Sequence, residues 1–192
     1  MSERKNLGAH ALTLPQPVMI VGTYDSNGVP NAMNVAWGCQ CGGKQLELNL
    51  APSGRKTIDN LKVNKAFTVA FATVDTEVVA DYVGLVSGQK EPSKIEKFGL
   101  HAVKASFVEA PVFVEFPVTV ECSLRLTELT DYGEFRVVGD VLNVSADESV
   151  LDENGKIDAE KAGIICFDPA GMAYRRIGGK VGQPFHDGAK LK

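Results

Sequence analysis

The segment LAPSGRKTIDNL, from Leu50 to Leu61, combines residue types that bind anions. Two hydroxyl residues, a glycine and two adjacent cations stand between an alternating apolar run and an amphipathic segment. A helix N-terminus carries a partial positive charge and an arginine offers two donors at once, so both favour a phosphate group. A strand-to-helix loop with an ordinary cap and solvated cations explains the same pattern. The residues alone leave both interpretations open.

Two other segments could bring polar groups to a ligand. NVAWGCQCGG carries Asn34 and the only tryptophan of the chain, Trp37, just before a glycine-rich loop. Such a strand can present backbone donors and acceptors to a flat polar ring, although most tryptophans belong to the core. In SGQKEPSK, Lys94 stands at the head of a short helix. There it could reach an anion or a ring edge, or simply remain solvated.

The cysteines indicate no metal site. Cys39 and Cys41 form a Cys-x-Cys pair, but no second pair and no nearby histidine completes a zinc site. The remaining two, Cys122 and Cys166, are isolated, and a chain of this length without a signal peptide does not need a disulfide framework. We therefore interpret the four as structural or incidental thiols, and we expect no bound metal.

Composition excludes several classes of protein. The chain has 192 residues, which is enough for one sizeable domain, and we expect a single domain over 1–192. Its net charge of -4 offers no basic field for nucleic acid. No apolar run approaches the length of a membrane helix, and the polar start MSERKNLGAH is not followed by the apolar stretch of a secretory signal. The default expectation is a cytoplasmic protein that does not bind membranes.

Strands dominate the predicted elements. Asn27-Gly28 predicts a hairpin between the strand ending at Asp25 and a return strand over NAMNVAWGCQC, because both turn residues tolerate positive φ. KQLELNLA alternates with period two, and so does the long run PVTVECSLRL, with EFRVVGDVLNVSAD as its antiparallel partner. Long alternating strands of this kind favour a β-barrel.

The helices are predicted to be short. GRKTIDNLKVNK has an apolar face and Thr57 as a possible cap, and DTEVVADYVGLVSG begins at the cap residues Asp75 and Thr76 and closes at Gly88. EPSKIEKFGL gives a third short helix ending at Gly99. The sequence lacks the regular strand–helix alternation of a Rossmann fold, the G-x-G-x-x-G fingerprint and the P-loop, so a nucleotide would have to be held in another way.

Taken together and in order, several segments resemble the flavin reductase-like family. They are PQPVMIVGTYDSNGVPNAMNVAW, LAPSGRKTIDNL, SGQKEPSKIEKFGL, APVFVEFPVTVEC and VVGDV. The similarity runs from about Leu14 to the glycine-rich tail and looks closest to flavoredoxin-type proteins. It implies a mainly β FMN-binding split β-barrel, a Greek-key antiparallel barrel with short helices, usually a homodimer with FMN near the subunit interface.

The resemblance also implies a set of cofactor-binding residues. The phosphate would be held by Ser53, Arg55, Lys56 and Thr57. The isoalloxazine ring would be lined, largely through the main chain, by Asn34, Val35, Ala36 and Trp37, and the ribityl chain would be faced by Asn49, Ala51 and Pro52. Lys94 would approach the flavin, but Ser93 stands where the family often has an aspartate, which puts an ion pair there in doubt.

The activity implied is electron transfer from NADH or NADPH through bound FMN to a flavin, a ferric complex or a protein. No side-chain acid or base is required, because the redox chemistry belongs to the cofactor. Two alternatives stay open: an electron carrier that exchanges electrons with a partner protein without oxidising NAD(P)H, and a module that binds another phosphorylated or planar ligand. Cys39 follows Trp37 closely, so its thiol could tune the flavin potential.

Overall fold

The computed structural model describes residues 3–51 and 56–191. Antiparallel strands make up most of the regular structure in this part of the chain. The strands are β1 (Gln16–Pro17), β2 (Met19–Tyr24), β3 (Pro30–Val35), β4 (Gly38–Gly42), β5 (Gln45–Leu50), β6 (Ala66–Phe71), β7 (Ala102–Lys104), β8 (Pro111–Phe113), β9 (Val118–Leu129), β10 (Phe135–Ala146), β11 (Ile165–Asp168) and β12 (Ala173–Arg176). The helices are α1 (Lys56–Asn64), α2 (Glu77–Leu85) and α3 (Lys94–Lys97), with 3-10 turns at Val74–Thr76, Glu148–Val150 and Asp187–Leu191.

Seven strands form the main sheet in the order β3-β2-β6-β9-β10-β5-β4, and each neighbouring pair is antiparallel. Side chains from both ends of this order meet in one core cluster. Met33 of β3 and Leu48 of β5 belong to it, together with Phe67 of β6. A sheet whose distant strands share one core must curl around it, as in a barrel. The predicted mainly β antiparallel barrel is confirmed.

The hairpin predicted at Asn27-Gly28 is present between β2 and β3. Gly28 has φ +76°, a conformation that glycine adopts without strain. The Asp25 carboxylate accepts hydrogen bonds from the backbone N–H groups of Asn27 and Val29, both at 2.9 Å. The turn therefore fixes the Asp25 side chain at a defined place on the barrel rim.

The return strand predicted over NAMNVAWGCQC is broken in two. β3 ends at Val35 and pairs with β2, whereas β4 starts at Gly38 and pairs with β5 at the other edge of the sheet. A Cβ atom at Gly38 would lie 2.7 Å from the carbonyl oxygen of Glu47, so only glycine fits this crossing. Periodicity could not show the break, because the change of partner strand is a tertiary event.

The helix predictions were right in kind and wrong at their ends. Thr57 lies within α1 and is not its N-cap; Ile58 and Leu61 of α1 enter the core as predicted. The second helix begins at Glu77, after a 3-10 turn, and ends at Leu85 instead of Gly88, because Val86 is extended. Because α2 ends early, the segment that follows it is free of helical structure, and this segment forms one wall of the candidate functional site.

A second core cluster lies under α2 and α3. Ile20 of β2, Ala80 and Val83 of α2, Ile95 of α3 and Phe113 of β8 are all buried in it. Burying each large apolar side chain stabilises the fold by about 1.5–3 kcal/mol. This packing holds α2 against the β2–β3 hairpin. Over the described ranges, no helix combines the length and apolar character that crossing a membrane requires.

Candidate functional site

A polar cavity of about 220 Å³ opens between β3, the start of α1 and the segment that follows α2. We call it the Lys56 cavity. Its walls are formed by Asn31, Met33, Ala51, Lys56, Thr57, Val83, Gly84, Leu85, Val86, Ser87, Gly88 and Lys94. Two lysines and a threonine thus border one space, together with a glycine-containing turn. Such a set of cations and donors suits an anionic ligand.

Lys56 is the first residue of α1 and is paired across the cavity rim. Its Nζ lies 3.0 Å from Asp25 Oδ2, and both side chains are mostly buried. Burial opposes ionisation of Asp25, but the hydrogen bonds from the backbone N–H of Val29, from Lys56 and from Asn27 outweigh it. The pKa of Asp25 is consequently below its ordinary value. The ion pair holds the Lys56 stem along the cavity wall.

Thr57 is buried beside Asn31, which sequence reasoning did not single out. Asn31 Nδ2 donates to Thr57 Oγ1 at 3.0 Å, and both residues are almost fully inaccessible. Gly88 lies opposite, and a Cβ there would clash with Asn31 Oδ1. The sequence signal for Asn31 was its alternation with Met33 and Val35, which places a polar residue on the inward face of an apolar strand.

Lys94, which the resemblance places near the flavin, lines the Lys56 cavity and also binds the end of α2. Its side chain is only 2% exposed, and Nζ donates to the carbonyl oxygens of Val83 at 3.1 Å and Val86 at 2.8 Å. A cation at a helix C-terminus satisfies carbonyls that lack intrahelical partners. Lys94 therefore shapes the turn that forms the cavity wall, besides adding positive charge to it.

A second cavity of about 230 Å³ adjoins the first on the other side of Gly84 and Leu85. This Tyr174 cavity is lined by Val18, Asn34, Ala36, Asp81, Gly84, Leu85, Phe167 and Tyr174. A Cβ at Gly84 would come 2.9 Å from Asn34 Cβ, so glycine lets α2 approach β3 here. Two of the predicted ring-binding residues thus lie on this cavity, apart from the predicted phosphate residues.

Polar contacts organise the Tyr174 cavity. Asn34 Nδ2 donates to the carbonyl oxygen of Ala80 at 3.0 Å, and the Tyr174 hydroxyl donates to Asp81 Oδ1 at 2.7 Å. Burial and the Asp81 carboxylate raise the pKa of Tyr174 to about 12, so the phenol is neutral at physiological pH. The cavity therefore presents an amide, a carboxylate and a neutral phenol beside the backbone of β3.

The other predicted site residues are dispersed. Val35 points into the core, Trp37 is 55% exposed, and the Trp37 carbonyl accepts from Asn49 N at 2.8 Å. Asn49 lines neither cavity; its Oδ1 is buried with no partner in the described part of the chain, and its Nδ2 is 3.4 Å from Glu47 Oε1. Ala51 lines the Lys56 cavity. Pro52, Ser53 and Arg55 lie outside the described residues.

The cysteines stand apart from both cavities. All four are free thiols; Cys39 and Cys41 are exposed on the edge strand β4, and Cys122 is buried in the core. Burial, reinforced by Asp140 and Glu121, raises the pKa of Cys122 to about 12, so this thiol is unreactive. Within the residues that the structure describes, no three metal-binding side chains gather at one place.

The cavity dimensions and donors fit an extended phosphorylated ligand. The volume of each cavity is smaller than about 300 Å³, which is the lower end of the range for sites that hold drug-sized ligands. A phosphorylated ligand of that size would therefore extend beyond either cavity alone. The cations line the Lys56 cavity, while the flat backbone of β3 borders the Tyr174 cavity. The buried, unpartnered Oδ1 of Asn31 calls for a donor from a ligand. In chemical character, these features match the phosphate, the polyol chain and the ring of FMN.

The fold and the site together define a barrel that presents a polar cleft to a ligand. Sequence comparison identifies the protein family to which the chain belongs. The model of the flavin reductase like domain matches residues 11–173, so the chain belongs to the flavin reductase-like family. A protein of Aquifex aeolicus (strain VF5) is 27% identical over 190 residues, covering 94% of this chain and 90% of the relative.

Solved structures agree with this assignment. The flavoredoxin of Desulfovibrio vulgaris (Miyazaki F) is 30% identical, with a TM-score of 0.90 over 97% of this chain and 100% of that chain. A flavoredoxin from Methanosarcina acetivorans has a TM-score of 0.89 at 22% identity, with both chains fully covered. A split-barrel protein of Shewanella frigidimarina matches at 0.80, with 19% identity over 90% of this chain and 87% of its own. The predicted split barrel and its resemblance to flavoredoxin-type proteins are confirmed.

Proposed function

We propose that the protein is an FMN-binding oxidoreductase that accepts electrons from NADH or NADPH. The electrons would pass through FMN to a flavin, a ferric complex or a protein acceptor. Membership of the flavin reductase-like family supports a flavin-related activity. The FMN-binding protein of Thermus thermophilus shares the fold, with a TM-score of 0.76 at 18% identity over 96% of this chain and 100% of that chain. The observation that carries the proposal is the Lys56 cavity, where two lysines and a threonine line the same space as Asn31, whose buried Oδ1 has no partner among the described residues.

The chain's own residues would bind and orient the cofactor. Lys56 and Thr57, with Ser53 and Arg55 of the preceding loop, would hold the phosphate, and Lys94 would add a buried positive charge nearby. Asn49, Ala51 and Pro52 would face the ribityl chain. The backbone from Asn34 to Trp37 would lie along the ring. FMN, when bound, supplies the redox chemistry; the protein supplies position and electrostatic environment.

An electron carrier is the second candidate. It is favoured by the 30% identity to a flavoredoxin over nearly the whole of both chains. A carrier would bind FMN at the same site but would exchange electrons with a partner protein and would not oxidise NAD(P)H itself. The third alternative, a module for another phosphorylated or planar ligand, would use the Lys56 cavity without a flavin.

We also propose a homodimer. Two apolar hollows of about 390 and 300 Å³ adjoin each other and share Phe71 and Val144 as lining residues. Val144 is 50% exposed, and Leu142 on the same strand is 52% exposed. Large apolar surfaces of this kind commonly mark interfaces, and two-fold dimers are the commonest assembly. Sedimentation equilibrium should give twice the mass of the 20.6 kDa chain.

The deciding experiment is a visible absorption spectrum of the purified protein, before and after adding FMN and removing the excess. A retained oxidised-flavin spectrum supports the site. NADH or NADPH is then added without air, with free FMN at the same concentration as the control. Rapid bleaching of the protein-bound chromophore supports the oxidoreductase, whereas retained colour that resists both nucleotides supports the carrier.

Failure to retain or to titrate FMN would contradict the proposal and favour the other-ligand alternative. Titration by quenching of flavin fluorescence extends the test to weak binding, since a flavin that exchanges freely would be lost on a desalting column. A dissociation constant above the millimolar range would leave too little binding free energy, about 4 kcal/mol, for a resident or substrate flavin.

A further inference from the structure

Asn31 is a buried amide whose oxygen is left without a hydrogen-bond donor among the described residues. The residue is 3% exposed; Nδ2 donates to Thr57 Oγ1 at 3.0 Å, but Oδ1 has no hydrogen-bond partner among the residues that the structure describes. Buried polar atoms are nearly always paired, and leaving an acceptor unpaired costs free energy. Because Asn31 lines the Lys56 cavity, a ligand in that cavity is the natural source of the missing donor.

A second buried asparagine–threonine pair, formed by Asn60 and Thr23, provides a comparison. Asn60 of α1 is 4% exposed, and its Nδ2 donates to Thr23 Oγ1 at 2.9 Å. The two Asn–Thr pairs are alike in burial and geometry. Asn60 does not line the Lys56 cavity, and its Oδ1 is not among the buried atoms that lack a partner. Among the described residues, the amide oxygens of Gln16, Asn31 and Asn49 are buried without a partner, and of these three residues Asn31 is the one that lines the Lys56 cavity.

The chemistry of the acceptor restricts its partner. A carbonyl oxygen only accepts hydrogen bonds, and it repels the ionised oxygens of a phosphate. A hydroxyl group of the ligand, by contrast, can donate to it. Asn31 Oδ1 is itself buried, and Gly88 faces it without a Cβ, so the space beside that oxygen holds no side chain from position 88. In a phosphorylated flavin, the hydroxyls next to the phosphate belong to the ribityl chain.

We propose that Asn31 is a further cofactor-binding residue whose Oδ1 accepts a hydrogen bond from a ribityl hydroxyl of FMN. Its Nδ2 at the same time occupies a lone pair of Thr57 Oγ1, which directs the Thr57 proton toward the phosphate. The inference rests on the proposed function, since it takes FMN as the ligand. It assigns the polyol chain, and not only the phosphate, to the inner wall of the Lys56 cavity.

The test compares three flavins on Asn31→Ala by fluorescence titration. FMN has the polyol and the phosphate, riboflavin has the polyol alone, and lumiflavin has neither. We expect the dissociation constants of FMN and riboflavin to rise by about tenfold, the size of one lost hydrogen bond at a buried site. The dissociation constant of lumiflavin should stay within about twofold of its wild-type value, since it has no group to lose at this contact.

Asn60→Ala is the matched control. It removes an equivalent buried Asn–Thr bond, so it should lower the melting temperature by a similar amount while leaving all three flavin affinities unchanged. Asn31→Asp keeps an acceptor at the same place and removes the amide donor. It should bind riboflavin at the wild-type affinity and FMN more weakly, because the new carboxylate repels the phosphate.

Four results would overturn the inference. A loss confined to FMN would show that Asn31 acts only on the phosphate through Thr57. Unchanged affinities in Asn31→Ala would show no contact at all, with the proposed function left standing. If the wild-type protein binds none of the flavins, the proposed function fails and the inference with it. If Asn31→Ala does not fold, Asn31→Asp decides, since a loss of riboflavin affinity of about tenfold there contradicts the inference.

Discussion

The Lys56 ammonium lies 3.0 Å from the Asp25 carboxylate, and this ion pair joins the start of α1 to the β2–β3 hairpin. Both groups are mostly buried, so the pair is less screened by salt than a surface pair. The same lysine lines the candidate phosphate cavity. The carboxylate therefore positions the cation and also offsets part of the charge that a phosphate would meet.

Replacing Asp25 by asparagine separates these two effects. The amide side chain would keep an oxygen for the backbone N–H groups of Asn27 and Val29, so the turn should persist. We expect FMN to bind about threefold more tightly to Asp25→Asn, because a negative charge near the phosphate is removed, while riboflavin affinity stays the same. Fluorescence titration of both flavins checks this. Weaker FMN binding would mean that the ion pair is needed to aim Lys56.

The same variant should alter the pH dependence of stability. The pKa of Asp25 is lowered in the folded protein from an ordinary value of 3.8, so its stabilisation is fully present above that value and disappears as pH falls through the folded pKa. Wild type should exceed Asp25→Asn by up to about 1 kcal/mol at neutral pH. The difference should vanish in acid. Urea unfolding from neutral pH down to about pH 2.5 measures it, and a constant difference would contradict the expectation.

Gly88→Ala tests whether the turn after α2 must remain open. Its Cβ would clash with Asn31 Oδ1 and lie 3.3 Å from Lys56 Cδ, so it would intrude on the cavity. We expect FMN affinity to fall more than about tenfold, and the free energy of unfolding to fall by about 1–3 kcal/mol, because the displaced Asn31 side chain is buried. Gly43→Ala, which meets no atom within 4 Å, is the control and should leave both quantities unchanged. Equal FMN affinity in the two variants would exclude Gly88 from the site.

Lys94→Met tests the buried cation. The change removes the donor that Val83 and Val86 share, and we expect the free energy of unfolding to fall by about 1–3 kcal/mol. Lys97→Met removes an exposed cation that pairs with Glu91 at 3.2 Å, so its effect on stability should be close to zero. Urea denaturation of both variants compares them. Equal, small losses would show that Lys94 does not stabilise the end of α2.

Thiol reactivity should follow burial. We expect rapid labelling of Cys39 and Cys41 by a chromogenic disulfide reagent, slower labelling of the partly buried Cys166, and none of Cys122 until the protein unfolds. The double variant with serine at positions 39 and 41 should lose the rapid phase. Labelling of Cys122 as fast as the exposed pair would indicate that the core opens locally.

Much of the architecture could be predicted from local pattern. The alternation of β9 and β10, the glycine turn at Gly28 and the apolar face of α1 each depend on neighbours in sequence, and each is present as expected. The division of the return strand between β3 and β4 could not be predicted, since its two halves alternate much like one strand. Their partners, β2 and β5, lie at distant places in the sheet.

The sequence by itself determined the class of fold, the family resemblance and the cationic loop, because composition, periodicity and ordered motifs are local properties. Only the tertiary structure decided which of these residues meet. It brought Asp25 to Lys56 and Asn31 to Thr57, and it turned Val35 into the core. Such juxtapositions depend on how strands pair and how α2 ends, and both are set by packing over long distances along the chain.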